Sequence, residues 1–168
     1  LFQDENGEPL GFFDAVVGGR SVGTPGTPAL LGDMHRRWGR APWPDLLEDA
    51  IDLADNGFTV SARLAGLVER DAERLSRYPV TADYFLPGGT PIAEGATLVN
   101  PDYAEVLRLL AEEGADAFYT GRIAQNIEAT VNYLNDNPGY LNQRDMAAYR
   151  VKMRRPVCVQ YREHDVCG

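Results

Sequence analysis

Proline and glycine break this sequence so regularly that only short elements can form between them. Eleven prolines and 17 glycines are spread along the chain, and a proline inside a helix removes a hydrogen bond and clashes with the preceding turn. Residues 1–26, rich in Gly, Pro and acidic side chains, read as mostly extended or loop. Thr27-Pro28 then offers an N-cap hydroxyl followed by proline at the first helical position. Leu30, Leu31, Met34 and Trp38 line one face of the helix that follows, and Gly39 can close it in the left-handed conformation. A second helix begins near Pro44; Trp43, Leu46, Leu47, Ala50, Ile51 and Ala54 keep the 3.6 period until Asn56-Gly57 ends it.

Ser61 is the next N-cap, ahead of Leu64, Leu67, Val68, Ala72 and Leu75. Tyr78-Pro79 stops that run, because a residue before proline is pushed out of the helical region. Residues 86–96 read as a turn or loose hairpin. Tyr103, Val106, Leu107 and Leu110 mark another helix, which ends at Gly114, and a short one covers 115–119. Thr120 caps a longer helix with Ile123, Ile127, Val131 and Leu134 on one stripe. Asn142 with Asp145 three residues on resembles a capping box, opening a helix that holds Met146 and Tyr149.

Only the end reads as β. Val157, Val159 and Tyr161 alternate with Cys158 and Gln160, and residues 164–167 return as a second strand. With Arg162-Glu163 as the turn, Tyr161 pairs with His164 and Cys158 falls opposite Cys167. An isolated two-stranded hairpin is marginal in water, so these strands are expected to belong to a larger sheet. The fold class is therefore mainly α: a helical bundle with a short C-terminal β-hairpin. Three parts follow: an N-terminal segment 1–26, a helical domain 27–150 and a hairpin tail 151–168. Because the chain opens at Leu1 without a methionine and stops at Gly168 straight after a strand, it is expected to be a piece of a larger protein.

Charge and hydropathy exclude some classes of function. No run of about 18 apolar residues occurs, so a spanning helix is not expected. Sixteen basic against 25 acidic side chains leave a net charge of −9, which argues against binding nucleic acid or an anionic membrane. The glycine-rich stretch 18–26 lacks the lysine of a phosphate-binding loop, and Pro25 and Pro28 obstruct the helix that a dinucleotide fingerprint needs. It reads as a tight structural loop. There are two histidines. His35 sits on a helix beside Arg36 and Arg37, and His164 lies at the hairpin turn. Cys158, His164 and Cys167 lack the ligand number and spacing of a zinc site.

Glu48, Asp49, Asp52 and Asp55 read as a charged helix face, while Arg36, Arg37 and Arg40 complement a helix dipole. No Ser-His-Asp or Cys-His set can be assembled. The two cysteines admit two readings. A disulfide would close the segment 158–167 and add roughly 2–3 kcal/mol through chain entropy; otherwise both are reduced, packed thiols.

Several segments, read together, resemble the large subunit of γ-glutamyltranspeptidases. They are Asp14-Ala-Val-Val-Gly-Gly-Arg-Ser-Val-Gly-Thr-Pro-Gly26, His35-Arg-Arg-Trp-Gly-Arg-Ala-Pro-Trp43, Ala50-Ile-Asp-Leu-Ala-Asp-Asn-Gly-Phe58 and Ser61-Ala-Arg-Leu-Ala65. Glu113-Gly-Ala-Asp-Ala-Phe-Tyr-Thr-Gly121, Asp145-Met-Ala-Ala-Tyr149, Arg155-Pro156 and Tyr161-Arg-Glu-His-Asp-Val166 complete the set. They occur in the family's order and cover nearly the whole chain.

The resemblance implies an N-terminal-nucleophile hydrolase with an αββα sandwich, made as a zymogen that cuts itself into a large and a small subunit. The new N-terminal threonine of the small subunit attacks a γ-glutamyl amide, as in glutathione, and its own α-amine serves as base. The acyl group then passes to water or to an amino-acid acceptor. No metal or organic cofactor is implied. The expected partners are the rest of the large subunit, the small subunit and a small γ-glutamyl substrate, with no nucleic acid and no membrane span.

The nucleophile and most binding groups of the family lie in the small subunit. The large-subunit arginine of an Arg-Glu-x-Ala-Pro segment is expected before Leu1. Arg20 does not match it, so no residue of this chain is assigned a catalytic, substrate-binding or metal-binding role. Two departures from the family stand out. Glu163 occupies a position where the family often has glycine, and a positive φ there would cost about 1 kcal/mol. Cys158 and Cys167 are not family features. Family members are usually exported, so the parent is expected to be periplasmic or secreted. Two alternatives stay open: a stand-alone helical interaction module, and the large subunit of a cephalosporin acylase that takes glutaryl side chains.

Overall fold

The computed structural model describes residues 1–133 and 136–168. In chain order its elements are α1 (Phe12–Val16), α2 (Thr27–Trp38), α3 (Asp45–Asn56), β1 (Phe58–Thr59), α4 (Ala62–Leu75), α5 (Pro79–Phe85), β2 (Thr97–Leu98), α6 (Pro101–Glu113), α7 (Gly121–Asn132), α8 (Gln143–Ala148), β3 (Cys158–Tyr161) and β4 (His164–Cys167). Among the described residues, 3-10 turns occupy Gly19–Ser21, Pro87–Gly89 and Ala115–Tyr119. The class is mainly α with a short C-terminal hairpin, as the sequence leads one to expect. The elements gather into two compact units, one of Ala41–Gly114 and one of Leu1–Arg40 with Ala115–Gly168.

The unit 41–114 is built on α3 packed against α6. Ala54 is buried and Leu47 and Ile51 are half-buried, whereas Leu46 and Ala50 of the same expected stripe stay exposed. The Trp43 indole N–H donates to the Leu110 carbonyl at 2.7 Å, and Arg108 pairs with Asp55 from α3. Ser61 caps α4 as expected, its hydroxyl accepting the Leu64 N–H at 3.2 Å. Val60, Val68, Leu86, Ile92 and Leu98 form one buried cluster, and Ala104, Leu107 and Leu110 of α6 are buried as well.

Two features of this unit differ from the sequence reading. α4 ends at Leu75, ahead of Tyr78-Pro79, and that proline opens α5, where its missing N–H is one of the helix's unpaired donors anyway. Of the two readings for residues 86–96 the turn holds, with a 3-10 turn at Pro87–Gly89 and no hairpin. The unexpected element is β2, which pairs antiparallel with the distant β1, Phe58 opposite Leu98. Gly57, at φ +85°, makes the turn into β1 in a conformation that favours glycine.

In the other unit, residues 1–26 are not only loop. They include α1, and Asp4 accepts the N–H groups of Asn6 and Glu8 at 2.8 and 2.9 Å to fold the first residues into a tight turn. Burial in α2 also reverses the expected face. Gly32 is the buried residue, whereas Leu31 is 50% and Trp38 68% exposed. The reason is a close approach: a Cβ on Gly32 would stand 2.6 Å from the Ala115 Cβ. Gly39 follows α2 in an extended conformation, φ −65°, and not in the left-handed one.

The core of this unit holds Tyr119, Ala124, Val131, Leu141 and Met146. Thr120 sits at the N-cap of α7 without a side-chain capping bond. Leu134, expected on the α7 stripe, lies outside the described residues. The capping box is present: Asn142 Oδ1 accepts the Asp145 N–H at 3.1 Å, and Asp145 Oδ2 accepts the Asn142 N–H at 3.2 Å.

The β3–β4 hairpin has the expected register, with Tyr161 opposite His164 and Cys158 opposite Cys167. The two cysteines are joined by a disulfide. All eight strand residues are exposed, so the reading of two packed thiols does not describe them. The turn residue with positive φ is Arg162, at +56°, not Glu163. Its guanidinium lies 5.3 Å from the centre of the Tyr161 ring.

Candidate functional site

An open cleft of about 540 Å³ lies in the unit 1–40/115–168. It is walled by α2 through Asp33 and Arg36, by Asp116, Tyr119 and Thr120, and by Tyr149 and Arg150 beyond α8. Asp33, Arg36 and Arg150 are engaged locally. Asp33 accepts from Arg37 at 2.8 Å and from Arg36 at 3.4 Å, spacings that α2 itself creates at i,i+4 and i,i+3. Arg150 donates from Nη1 to the carbonyls of Ala147 and Tyr149, both at 2.7 Å. Thr120 supplies a hydroxyl, and among the described residues no histidine or carboxylate is hydrogen-bonded to it. A nucleophile requires an adjacent group to take its proton; the cleft brings two guanidinium groups and two carboxylates together instead.

Tyr119 shows how this wall is held. Its hydroxyl accepts the Ala29 N–H at 3.0 Å and donates to the Pro25 carbonyl at 2.7 Å. It thereby satisfies one of the unpaired donors at the start of α2, the task the sequence assigns to Thr27. Gly26 holds the N-cap position without any side-chain cap. The Tyr119 ring stacks on Tyr149 at 5.7 Å with planes 6° apart.

Burial pushes the Tyr119 phenol above its ordinary value, with the Ala29 N–H opposing and Tyr149 and Asp116 adding to the rise. A raised phenol pKa favours the neutral form in the folded state. That contribution is complete below the unfolded value of about 10 and is lost as pH rises through the folded value. Tyr119→Phe is therefore expected to cost about 1–3 kcal/mol at neutral pH, because a buried N–H and carbonyl lose their partner. The gap between the two proteins should close in alkaline solution above pH ~10. Urea unfolding at neutral and alkaline pH measures both effects.

The residues singled out from the sequence are scattered. His35 is half-buried on α2 and His164 is exposed at the hairpin turn. Glu48, Asp49 and Asp52 are exposed on α3, and Asp55 is half-buried beside Arg108. Among the described residues no three His, Cys, Asp or Glu are grouped to hold a metal. Arg20 lies in the glycine-rich loop and donates from Nη1 to the Leu1 carbonyl at 3.0 Å. Sequence reasoning missed Tyr119 because its partners are 90 and 94 residues away, and no local pattern carries that information.

The family model described as Gamma-glutamyltranspeptidase matches residues 1–168. The chain is 34% identical over 166 residues to the glutathione hydrolase proenzyme of Bacillus subtilis (strain 168), covering 99% of this chain and 28% of that protein. It is 37% identical over 153 residues to the acylase ACY 1 proenzyme of Pseudomonas sp. (strain SE83), covering 91% of this chain and 27% of the relative. The crystal structure of Helicobacter pylori gamma-glutamyltranspeptidase superposes with a TM-score of 0.91 at 31% identity, covering 99% of this chain and 47% of that one. The chain thus spans less than a third of the length of the two curated relatives. With a family match along every residue and a shared fold at this level of identity, the chain belongs to the gamma-glutamyltranspeptidase family.

Proposed function

We propose that this chain is part of the large subunit of an enzyme that transfers or hydrolyses the γ-glutamyl group of glutathione-like substrates. The observation that carries this reading is the family match over residues 1–168 together with a TM-score of 0.91 to a gamma-glutamyltranspeptidase. In this reading the nucleophilic threonine belongs to a small subunit outside the chain, released when the precursor cuts itself. Its α-amine takes the hydroxyl proton as the γ-glutamyl carbonyl is attacked, and water or an amino-acid amine resolves the acyl-enzyme.

Residues 27–150 serve as a helical domain beside the αββα core, with 1–26 as the segment leading into it and 151–168 as a tail that joins the core sheet. Two exposed apolar surfaces support a role packed against further protein: Leu31, Met34 and Trp38 on α2, and Val157, Val159, Tyr161 and Val166 on the hairpin. An exported parent, periplasmic or secreted, fits a chain whose cysteines are paired, because disulfides persist in oxidising compartments. Among the described residues no helix is long and apolar enough to cross a membrane.

A second reading keeps the mechanism and changes the acyl group to a glutaryl-type side chain. The 37% identity to an acylase favours it. One experiment addresses both readings: incubate this chain, and the longer protein that contains it, with chromogenic γ-glutamyl and glutaryl anilides. This chain alone should give no turnover with either, and the longer protein should cleave itself and prefer the γ-glutamyl compound. Turnover by this chain would overturn the placement of the nucleophile, and a preference for the glutaryl anilide would select the acylase reading.

A further inference from the structure

We propose that the Cys158–Cys167 disulfide is a reductant-accessible clamp that keeps the β3–β4 hairpin folded. The placement of the bond comes first. Val157 and Gly168 exchange both backbone hydrogen bonds, at 3.0 and 3.1 Å. Antiparallel pairs alternate, so Val159–Val166 is the next hydrogen-bonded pair and Cys158–Cys167 sits between them in a non-hydrogen-bonded pair.

The register also sorts the two faces. Cys158, Gln160, Asp165 and Cys167 share one face, while Val157, Val159, Tyr161 and Val166 share the other. The sulfurs are therefore on the polar face, open to solvent.

Among the described residues the hairpin is held by its own ladder, the Val157–Gly168 pair and the disulfide. Every residue of both strands is exposed, and an isolated two-stranded ladder is marginal in water. The bond closes a segment with a sequence separation of only 9, restricting the open chain by loop entropy. A small dithiol can remove that restriction. Its thiolate attacks one cysteine sulfur, the other leaves as thiolate, and the second reductant thiol resolves the mixed disulfide. Two electrons and two protons pass to the cysteine pair, and the reductant closes into its own cyclic disulfide. The proposal stands apart from the enzymatic reading, since it concerns only the hairpin.

The test uses the full chain with dithiothreitol as the dithiol, thiol counting and amide hydrogen exchange. The denatured, unreduced protein should show no free thiol; native protein treated with dithiothreitol should show both. Reduction should speed exchange of the Val159 and Val166 amides roughly 100-fold, the factor expected for loop closure over so short a segment. The Met146 amide, in the core of the same unit, should not change. The double variant Cys158→Ser, Cys167→Ser should exchange at the reduced rate without any reductant. Free thiols before reduction, resistance to dithiothreitol in native buffer, or hairpin amides equally slow in reduced or variant protein would each overturn the proposal.

Discussion

Gly19→Ala is expected to destabilise the unit 1–40/115–168 by about 3 kcal/mol or more, although it adds a single methyl group. A Cβ built on Gly19 stands 2.1 Å from the Val131 carbonyl oxygen and 2.6 Å from the Gly139 nitrogen. The same holds in reverse, since a Cβ on Gly139 would meet the Gly19 oxygen at 2.2 Å. The obstacles are main-chain atoms, which no rotamer change can move aside. Separating the two strands of backbone would strain the Gly139 N–H bond to the Val131 carbonyl, 2.8 Å, and the Arg20 N–H bond to the Asn137 carbonyl, 3.2 Å. Asn137 adds to the lock, donating from Nδ2 to the carbonyls of Asp14 and Val17 at 2.9 and 2.6 Å. Gly23 in the same loop gives the control, because nothing lies within 4 Å of its Cβ position. Gly23→Ala should stay within about 0.5 kcal/mol of the parent. Urea unfolding followed by circular dichroism compares the two, and equal losses would mean that the close approach is not what the loop's glycines serve.

That loop illustrates which parts of the structure are legible in the sequence. Its composition excludes a phosphate cradle and points to a tight structural turn, but the partners of Gly19, Val131 in α7 and Gly139 beyond it, lie where no local pattern reaches. Local signals read well for the same reason. Ser61, the Asn142–Asp145 pair and the alternation of residues 157–161 act over a few residues, so caps and hairpin register follow directly from them. The apolar stripe of α2 misled because amphipathicity says only which face avoids water. It does not say which face this chain buries, and here Gly32 packs while Leu31, Met34 and Trp38 remain uncovered. β1 and β2, two residues each, are too short to show a period. As for the candidate site, Asp33 and Arg36 pair within one helix and Arg150 bonds nearby carbonyls, so these groups look like any charged helix surface. The family itself was readable only as an ordered series of segments, each weak alone.

Met146→Ala should remove about 2–5 kcal/mol from the same unit. Met146 is 0% exposed, and it is the buried residue of α8, a helix too short to persist on its own propensity. The capping box fixes where α8 starts; Met146 fixes it to the core of Tyr119, Ala124, Val131 and Leu141. Truncation loses the transfer free energy of the removed atoms and leaves a cavity whose walls are aromatic rings and a rigid helix, which collapse poorly. Met146→Leu conserves volume and should cost under about 1.5 kcal/mol, separating lost packing from any special role of the thioether. Gly19 and Met146 share a neighbour. Val131 lines the Met146 pocket through its side chain and blocks Gly19 through its carbonyl. If α7 transmits the strain of Gly19→Ala into the core, the double variant should lose less than the sum of the singles. The gap should be at least about 0.5 kcal/mol, the threshold at which contacting sites depart from additivity. Strict additivity in the same urea titrations would instead mean that α7 absorbs each change locally.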